Sequence, residues 1–265
     1  MAPCFWSRLN FYNIVILFVS FFPVKFCRDD AKLIDAIVER VFQEVIHLSS
    51  SSKESDLVGM DSRIQNMELG LPLQMDRVRK VGIWGMGGIG KTTIATEVYD
   101  RIHSKFDHCC LLENVKDKFG EGGVSMLKVI LSQLLDIPEV RMDTMRDGYM
   151  RMEGLCNRKV LVVLDDVDKP SQIKTLLDGP SSGGGSRIIV TTRHGEILSG
   201  FEKYEAELLS ELDALKLFSK NAFRTNKPSK EYDHLSRRAV EYAQGLPLAL
   251  TVLGSLLDNK SVAEW

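Results

Sequence analysis

The chain has 265 residues, a formal net charge of −2 at neutral pH, 44% hydrophobic residues and 26% charged residues. This length and balance are typical of a globular protein with one large domain, or a domain and a smaller partner, that needs neither disulfides nor metals to build a core. A nearly neutral chain lacks the electrostatic footprint of a nucleic-acid-binding protein, so we expect no nucleic-acid partner.

The N-terminal residues 1–29 stay unassigned because their apolar part, residues 10–26, fits no single class. No small-x-small cleavage site follows it, which disfavours a secretory signal. It is shorter than the ~20 apolar residues of a membrane span, and Asn13, Ser20 and Pro23 interrupt it. A weak membrane anchor, and residues that do not belong to the fold, both stay open. We expect a cytoplasmic location, with N-terminal anchoring as the alternative.

The segment from 30 to 56 combines a helix with a linker. Apolar residues recur at helical spacing over residues 30–48, which predicts an amphipathic helix. The serine-rich tract over residues 49–56 is typical of a flexible linker. An organised domain therefore begins near residue 57.

From residue 80 onward, apolar strands and helices alternate. Strands are predicted at 80–85, 108–115, 159–167 and 186–193. Helices are predicted at 92–106, 125–135, 144–156 and 171–177. Continuously apolar strands separated by helices indicate a parallel sheet covered on both faces, so residues 57–200 are expected to form an α/β domain.

After residue 193 no further strand is predicted. Helices are expected at 211–223, 232–244 and 246–257, and Pro247 stands near the start of the last one, where a helix tolerates proline. Residues 201–265 are expected to form a small helical subdomain.

The five cysteines show no metal or disulfide pattern. They are irregularly spaced and lack a Cys-x-x-Cys pair, which favours a reducing compartment and no zinc site. Cys109 and Cys110 are neighbours in a predicted strand, so their side chains should point to opposite faces of the sheet.

The stretch "GMGGIGKT" matches the phosphate-loop pattern G-x-x-x-x-G-K-[ST] between a predicted strand and a predicted helix. Glycines let backbone N–H groups turn toward an anion, and the helix N-terminus adds positive potential. Lys91 is expected to reach the β- and γ-phosphates, Thr92 to bind Mg²⁺ and Thr93 to contact the α-phosphate. The predicted nucleotide-binding residues of this loop are Gly85, Gly87, Gly88, Gly90, Lys91, Thr92 and Thr93.

Two further elements fit a phosphate loop. Asp165 and Asp166 end a buried strand, where Asp165 is expected to help hold Mg²⁺ and Asp166 to orient or deprotonate a water. Strand-end capping is the alternative for this pair. Arg193 ends the next strand and is expected to contact a γ-phosphate; a surface ion pair is its alternative.

These pieces in this order resemble the nucleotide-binding domain of plant disease-resistance receptors, the NB-ARC group. The resemblance runs from about residue 57 to residue 265 and rests on "GMGGIGKTT", "KVLVVLDDVD", "GSRIIVTTR", "YEAELLSELDALKLFSKNAF" and "GLPLAL". Asp168, rather than a tryptophan, closes the carboxylate motif. In this the sequence is similar to the branch of the family that carries a Toll/interleukin-receptor domain in front. The linker "LVGMDSRI" is similar to that branch as well.

The resemblance implies a three-layer P-loop NTPase domain over residues 57–200, followed by a helical subdomain. It also implies ADP or ATP, with Mg²⁺, bound between the two. By position, Val58 and Gly59 look like the adenine-side lip and Pro247 like the helical contact with the base. From the residues alone, "GLPLAL" is better explained as a core helix with an N-terminal proline.

The family's front signalling domain, winged-helix latch and leucine-rich repeats have no counterpart here, so the sequence looks like a truncated receptor. The function that the resemblance implies is an ADP/ATP switch in plant defence, with at most slow hydrolysis. Three alternatives stay open: a kinase for a small acceptor, an adaptor that associates with other receptor chains, and a non-functional fragment.

Overall fold

The computed structural model describes residues 57–70, 77–177, 183–262 and 264–265, and Val58–Trp265 form one compact unit. The apolar segment 10–26, the predicted helix at 30–48 and the linker at 49–56 lie outside the described residues. Within the described part, no helix has the length and hydropathy that a membrane crossing requires.

A parallel sheet of five strands is the centre of the molecule. Its order is β2-β3-β4-β1-β5, with these strand limits: β1 Arg79–Trp84, β2 His108–Leu112, β3 Val160–Val167, β4 Arg187–Thr192 and β5 Glu202–Glu205. β3 and β4 are buried along nearly their whole length because they are central and covered on both faces. This confirms the predicted α/β class with a parallel sheet.

Helices surround and follow this sheet. They are α1 Met60–Gly70, α2 Lys91–Ile102, α3 Val115–Lys118, α4 Gly123–Leu135, α5 Met145–Glu153, α6 Pro170–Leu177, α7 Glu211–Phe223, α8 Asp233–Ala243 and α9 Pro247–Leu257. Short 3₁₀ turns stand at His103–Lys105, Phe119–Glu121 and Gly195–Ile197.

The two faces of the sheet have separate cores, which gives the three layers. On one face Ile64 of α1 and Ile94 of α2 pack with strand residues, and on the other Ile130 of α4 packs with them. Cys109 packs against the first core and Cys110 belongs to the second. The expectation that these neighbours point to opposite faces is therefore confirmed.

The prediction that no strand follows residue 193 is wrong, because β5 pairs in parallel with β1 at the edge of the sheet. Its sequence, "EKYE", is polar and mostly exposed. An edge strand bonds to one neighbour only and buries little of either face, so it shows neither an apolar run nor a clear alternation.

Several helix and strand limits also differ from the predictions. β2 ends at Leu112 rather than at residue 115, and Asn114 adopts a left-handed conformation with φ 54° before α3. The helix predicted at 144–156 spans only Met145–Glu153. α1 was not predicted, since two buried apolar residues one turn apart, Met60 and Ile64, are a weak periodic signal.

Candidate functional site

The loop between β1 and α2 is a tight turn that only glycine can make. Gly88 and Gly90 have φ values of 79° and 91°, which are strained for any residue with a Cβ. Gly90 precedes α2, whose first turn has no acidic residue and whose N-terminus, within the described residues, has no side-chain cap. Uncapped N–H groups at a helix N-terminus attract an anion, so this loop fits a phosphate group.

The Lys91 side chain lies inside the same loop. It is only 8% exposed, and its Nζ donates hydrogen bonds to the carbonyl oxygens of Gly85 (3.0 Å) and Met86 (2.9 Å). The pKa of Lys91 is lowered to about 8, mainly by burial and further by the positive charge of Arg193. The carboxylates of Asp166 and Asp165 raise this pKa and so partly oppose both effects. A buried ammonium that donates to two backbone carbonyls is well placed to gain a phosphate as its counter-charge.

Asp165 brings a carboxylate to the start of α2. It is 4% exposed, and its Oδ1 accepts hydrogen bonds from the hydroxyls of Thr92 (2.8 Å) and Thr191 (2.6 Å). Burial raises the pKa of Asp165, while these two hydrogen bonds lower it. Hydroxyl and carboxylate oxygens are the ligands that Mg²⁺ takes from proteins, so Thr92 and Asp165 are a suitable pair to hold it.

The backbone of Asp166 departs from the extended conformation of β3. Its φ is 53°, and its backbone N–H donates to Thr191 Oγ1 at 2.9 Å. Its Oδ1 lies 3.9 Å from Nε of Arg193, and both side chains are partly exposed. A Cβ at Gly87 would lie 3.5 Å from the Arg193 guanidinium, which therefore lies against the phosphate loop. Asp166 and Arg193 thus form a loose ion pair at the edge of the site.

The residues predicted from the family resemblance lie where the helical part meets the sheet. Pro247 is the first residue of α9, and the next residue, Leu248, donates its backbone N–H to the carbonyl oxygen of Gly88 (3.1 Å). Val58 is buried, and Gly59, with φ 68°, faces Leu209, which precedes α7, and Asp213 in the first turn of α7. Pro247 therefore lies beside the phosphate loop, while Gly59 lies against the start of the helical part.

Thr93 stands apart from these contacts. It is an exposed residue in the first turn of α2, beside Thr92. Its role at an α-phosphate stays a prediction.

Two residues at the site were not predicted. Thr191 contacts both carboxylate residues of β3, although the sequence drew attention only to Arg193 in the same motif. Arg63 of α1, 6% exposed, donates to the carbonyl oxygens of Ile89 (3.1 Å) and Glu207. Burial lowers the pKa of Arg63, although nearby acidic groups oppose the shift. A polar residue inside an apolar strand is the one sequence signal that could have indicated Thr191.

A separate cavity of about 780 Å³ opens between α4 and α5. Its lining includes Lys128, Arg141 and Met150, and it contains none of the predicted site residues. We assign the site to the phosphate loop because the converging charges and the uncapped helix are there.

Comparison with known proteins agrees with this geometry. The family model described as NB-ARC domain matches residues 64–228. The chain is 38% identical over 242 residues to Disease resistance-like protein DSC1 of Arabidopsis thaliana, covering 89% of this chain and 20% of that protein. It is 36% identical over 248 residues to TMV resistance protein N of Nicotiana glutinosa, covering 90% and 21%. The chain thus spans about a fifth of the length of these curated relatives.

A solved structure supports the fold. Cdc6p from Pyrobaculum aerophilum aligns with a TM-score of 0.54 over 78% of this chain and 61% of that chain, at 13% sequence identity. At that identity the likeness concerns the fold alone. The phosphate loop, the family match and the relatives all agree, and the chain belongs to the NB-ARC domain family.

Proposed function

We propose that the protein is an adenine-nucleotide switch in plant defence signalling, which binds ADP or ATP together with Mg²⁺. The phosphate loop with Lys91 would hold the phosphates, and Thr92 and Asp165 would hold the metal. When bound, Mg²⁺ supplies positive charge to the phosphate oxygens. Val58, Gly59 and Pro247 are proposed to contact the base.

One observation carries the switch proposal. Leu248, at the start of α9, donates its backbone N–H to the carbonyl oxygen of Gly88, inside the phosphate loop. A nucleotide that changes the loop therefore acts directly on the first turn of the last helix. Other switches read the presence of a γ-phosphate through similarly short contacts.

We propose that hydrolysis is slow and that it only resets the switch. Fast P-loop enzymes use an arginine finger worth about 10³–10⁵ in rate. Arg193 is the local candidate here, and its charge is partly engaged by Asp166 at 3.9 Å. Asp166 is the proposed residue that orients or deprotonates the water. Binding is thus the main activity, and cleavage is secondary.

The experiment is to purify the full chain, release its bound nucleotide and identify it by chromatography. We expect the native protein to carry ADP or ATP. In Lys91→Ala the amount of bound nucleotide should fall at least about tenfold, because a charge-assisted phosphate contact is removed. Lys80→Ala, which removes an exposed lysine from β1, is the matched control and should keep the nucleotide. Folded native protein that binds no adenine nucleotide at millimolar concentration would contradict the proposal.

The branch and the location of the protein are finer proposals. Asp168 at the end of the carboxylate motif supports the Toll/interleukin-receptor-type branch of the family. The free thiols of Cys109, Cys110 and Cys156 fit a reducing compartment, which supports a cytoplasmic location.

Association with another receptor chain of this family is the second candidate function. Leu212, in the first turn of α7, is 82% exposed, and Leu208, four residues earlier, is 46% exposed. These two apolar side chains are the proposed partner contact. Light scattering over a range of protein concentrations tests it. Self-association that survives Lys91→Ala but is lost in Leu212→Ser would favour the adaptor function over the switch.

A further inference from the structure

Thr191 lies opposite an irregularity in the sheet. β3 and β4 are in register at Leu164 and Val190, and again at Val167 and Thr192. Two residues of β3, Asp165 and Asp166, therefore oppose the single residue Thr191 of β4. Such a bulge bends the strand and redirects side chains, and bulges are common beside functional sites.

The Thr191 side chain takes over the hydrogen bonding that the bulge interrupts. Its Oγ1 accepts the backbone N–H of Asp166 at 2.9 Å and lies 2.6 Å from Oδ1 of Asp165. Because an N–H can only donate, the hydroxyl proton of Thr191 is free to go to the carboxylate. One buried hydroxyl thus connects both acidic residues, and its proton has a defined direction.

The same carboxylate oxygen also accepts the hydroxyl of Thr92, at 2.8 Å. Oδ1 of Asp165 is therefore bonded from α2 and from β4 at once. Among the hydrogen bonds of the described residues, none involves its Oδ2. Two donors on one oxygen fix the rotation of the carboxylate and leave the other oxygen for a cation.

We propose that Thr191 is a positioning residue for the magnesium site, which orients the carboxylate of Asp165 through its hydroxyl. This inference rests on the proposed function, because it assumes that the nucleotide binds with Mg²⁺. Thr191 itself contacts neither the nucleotide nor the metal in this proposal. Its effect should therefore appear in the Mg²⁺ dependence of binding rather than in binding without metal.

The test compares nucleotide affinity with Mg²⁺ and with EDTA, by calorimetry on the full chain. Thr191→Val keeps the shape of the side chain but removes the hydroxyl. We expect it to reduce the gain in affinity from Mg²⁺ about tenfold, as losing an outer partner of a metal ligand commonly does, and to change the affinity in EDTA by less than about twofold. Thr191→Ser restores the hydroxyl and should recover the Mg²⁺ gain to within about threefold.

Thr192→Val is the matched control. Thr192 is the next residue of β4 and is equally buried, but its hydroxyl accepts the backbone N–H of His194 at 3.1 Å instead of bonding to Asp165. It should keep the full Mg²⁺ gain even where thermal stability falls. A loss of stability alone therefore does not imitate the expected result.

Full Mg²⁺ gain in folded Thr191→Val, or an equal loss of affinity with Mg²⁺ and with EDTA, would overturn the proposal. If Thr191→Val does not fold, Thr191→Cys replaces it; its weaker donor should reduce the Mg²⁺ gain at least about threefold, and an unchanged gain would again overturn the proposal. Native protein that binds no nucleotide under either condition would instead reject the proposed function.

Discussion

Replacing Gly88 with alanine adds a single carbon atom, the Cβ, at the contact between the phosphate loop and α9. The φ of Gly88 is 79°, and a Cβ built there would lie 2.8 Å from Cβ of Leu248 and 3.0 Å from its Cδ2. Carbon atoms prefer about 3.5–4.0 Å, so α9 or the loop must move. The same change at Gly87 is the control, because its φ is not positive and its nearest neighbour, the Arg193 guanidinium, is at 3.5 Å.

The magnitude follows from these two effects. A left-handed conformation costs an alanine about 1–2 kcal/mol, and overpacking costs about 1–3 kcal/mol. We therefore expect Gly88→Ala to lower the free energy of unfolding by roughly 2–4 kcal/mol, taking the lower part of that summed range because α9 can shift. For a unit of this size, that loss lowers Tm by roughly 5–15 °C.

The assay is thermal unfolding of the nucleotide-free protein, together with hydrogen exchange at the start of α9. Gly88→Ala should lower Tm and speed exchange of the Leu248 amide, since its hydrogen bond to the Gly88 carbonyl is disturbed. Gly87→Ala should change neither by much. Equal Tm values for the two variants would refute the reasoning that α9 is packed on the loop through Gly88.

Four further predictions concern Arg63, Cys110 and the N-terminal cap of α5. Arg63→Met should cost about 1–3 kcal/mol in urea unfolding, because it removes the donor from a buried carbonyl, that of Ile89, and from a partly buried one, that of Glu207. Arg101→Met, which breaks partly exposed ion pairs with Asp61 and Glu97, should cost about 1 kcal/mol or less, and equal costs would contradict this. Burial raises the pKa of the Cys110 thiol from 9.0 to about 12. Cys110 should therefore resist alkylation at pH 8 in the folded protein, while the partly exposed Cys156 reacts. Peptide mass spectrometry of the alkylated protein checks this. The neutral Cys110 thiol stabilises the fold fully below pH 9, and this contribution should be lost as the pH rises from 9 to about 12, which unfolding measured across that range would check. Thr144→Ala removes the capping box of α5 and should cost about 0.5–2 kcal/mol, with Thr144→Ser close to the native value.

The sequence by itself determined the fold class and the location of the phosphate loop. Both depend on short-range patterns: apolar runs that form buried strands, and glycines, a lysine and a threonine at fixed spacing between a strand and a helix. The carboxylates at the end of β3 followed as well, because the carboxyl ends of parallel strands share one edge of a sheet. The roles of all the predicted site residues in binding nucleotide and Mg²⁺, including those of Lys91, Thr92 and Asp165, stay predictions.

Only the tertiary structure decided which distant residues meet at that edge. Thr191 reaches Asp165 across a bulge between neighbouring strands. Arg63 of α1 bonds to Ile89, 26 positions later in the chain, and Leu248 of α9 bonds to Gly88. β5 forms a strand because its backbone pairs with the edge of β1, and its own polar sequence does not predict a strand. Local patterns report the period of one segment, whereas these contacts depend on the packing of several segments together, which no single segment encodes.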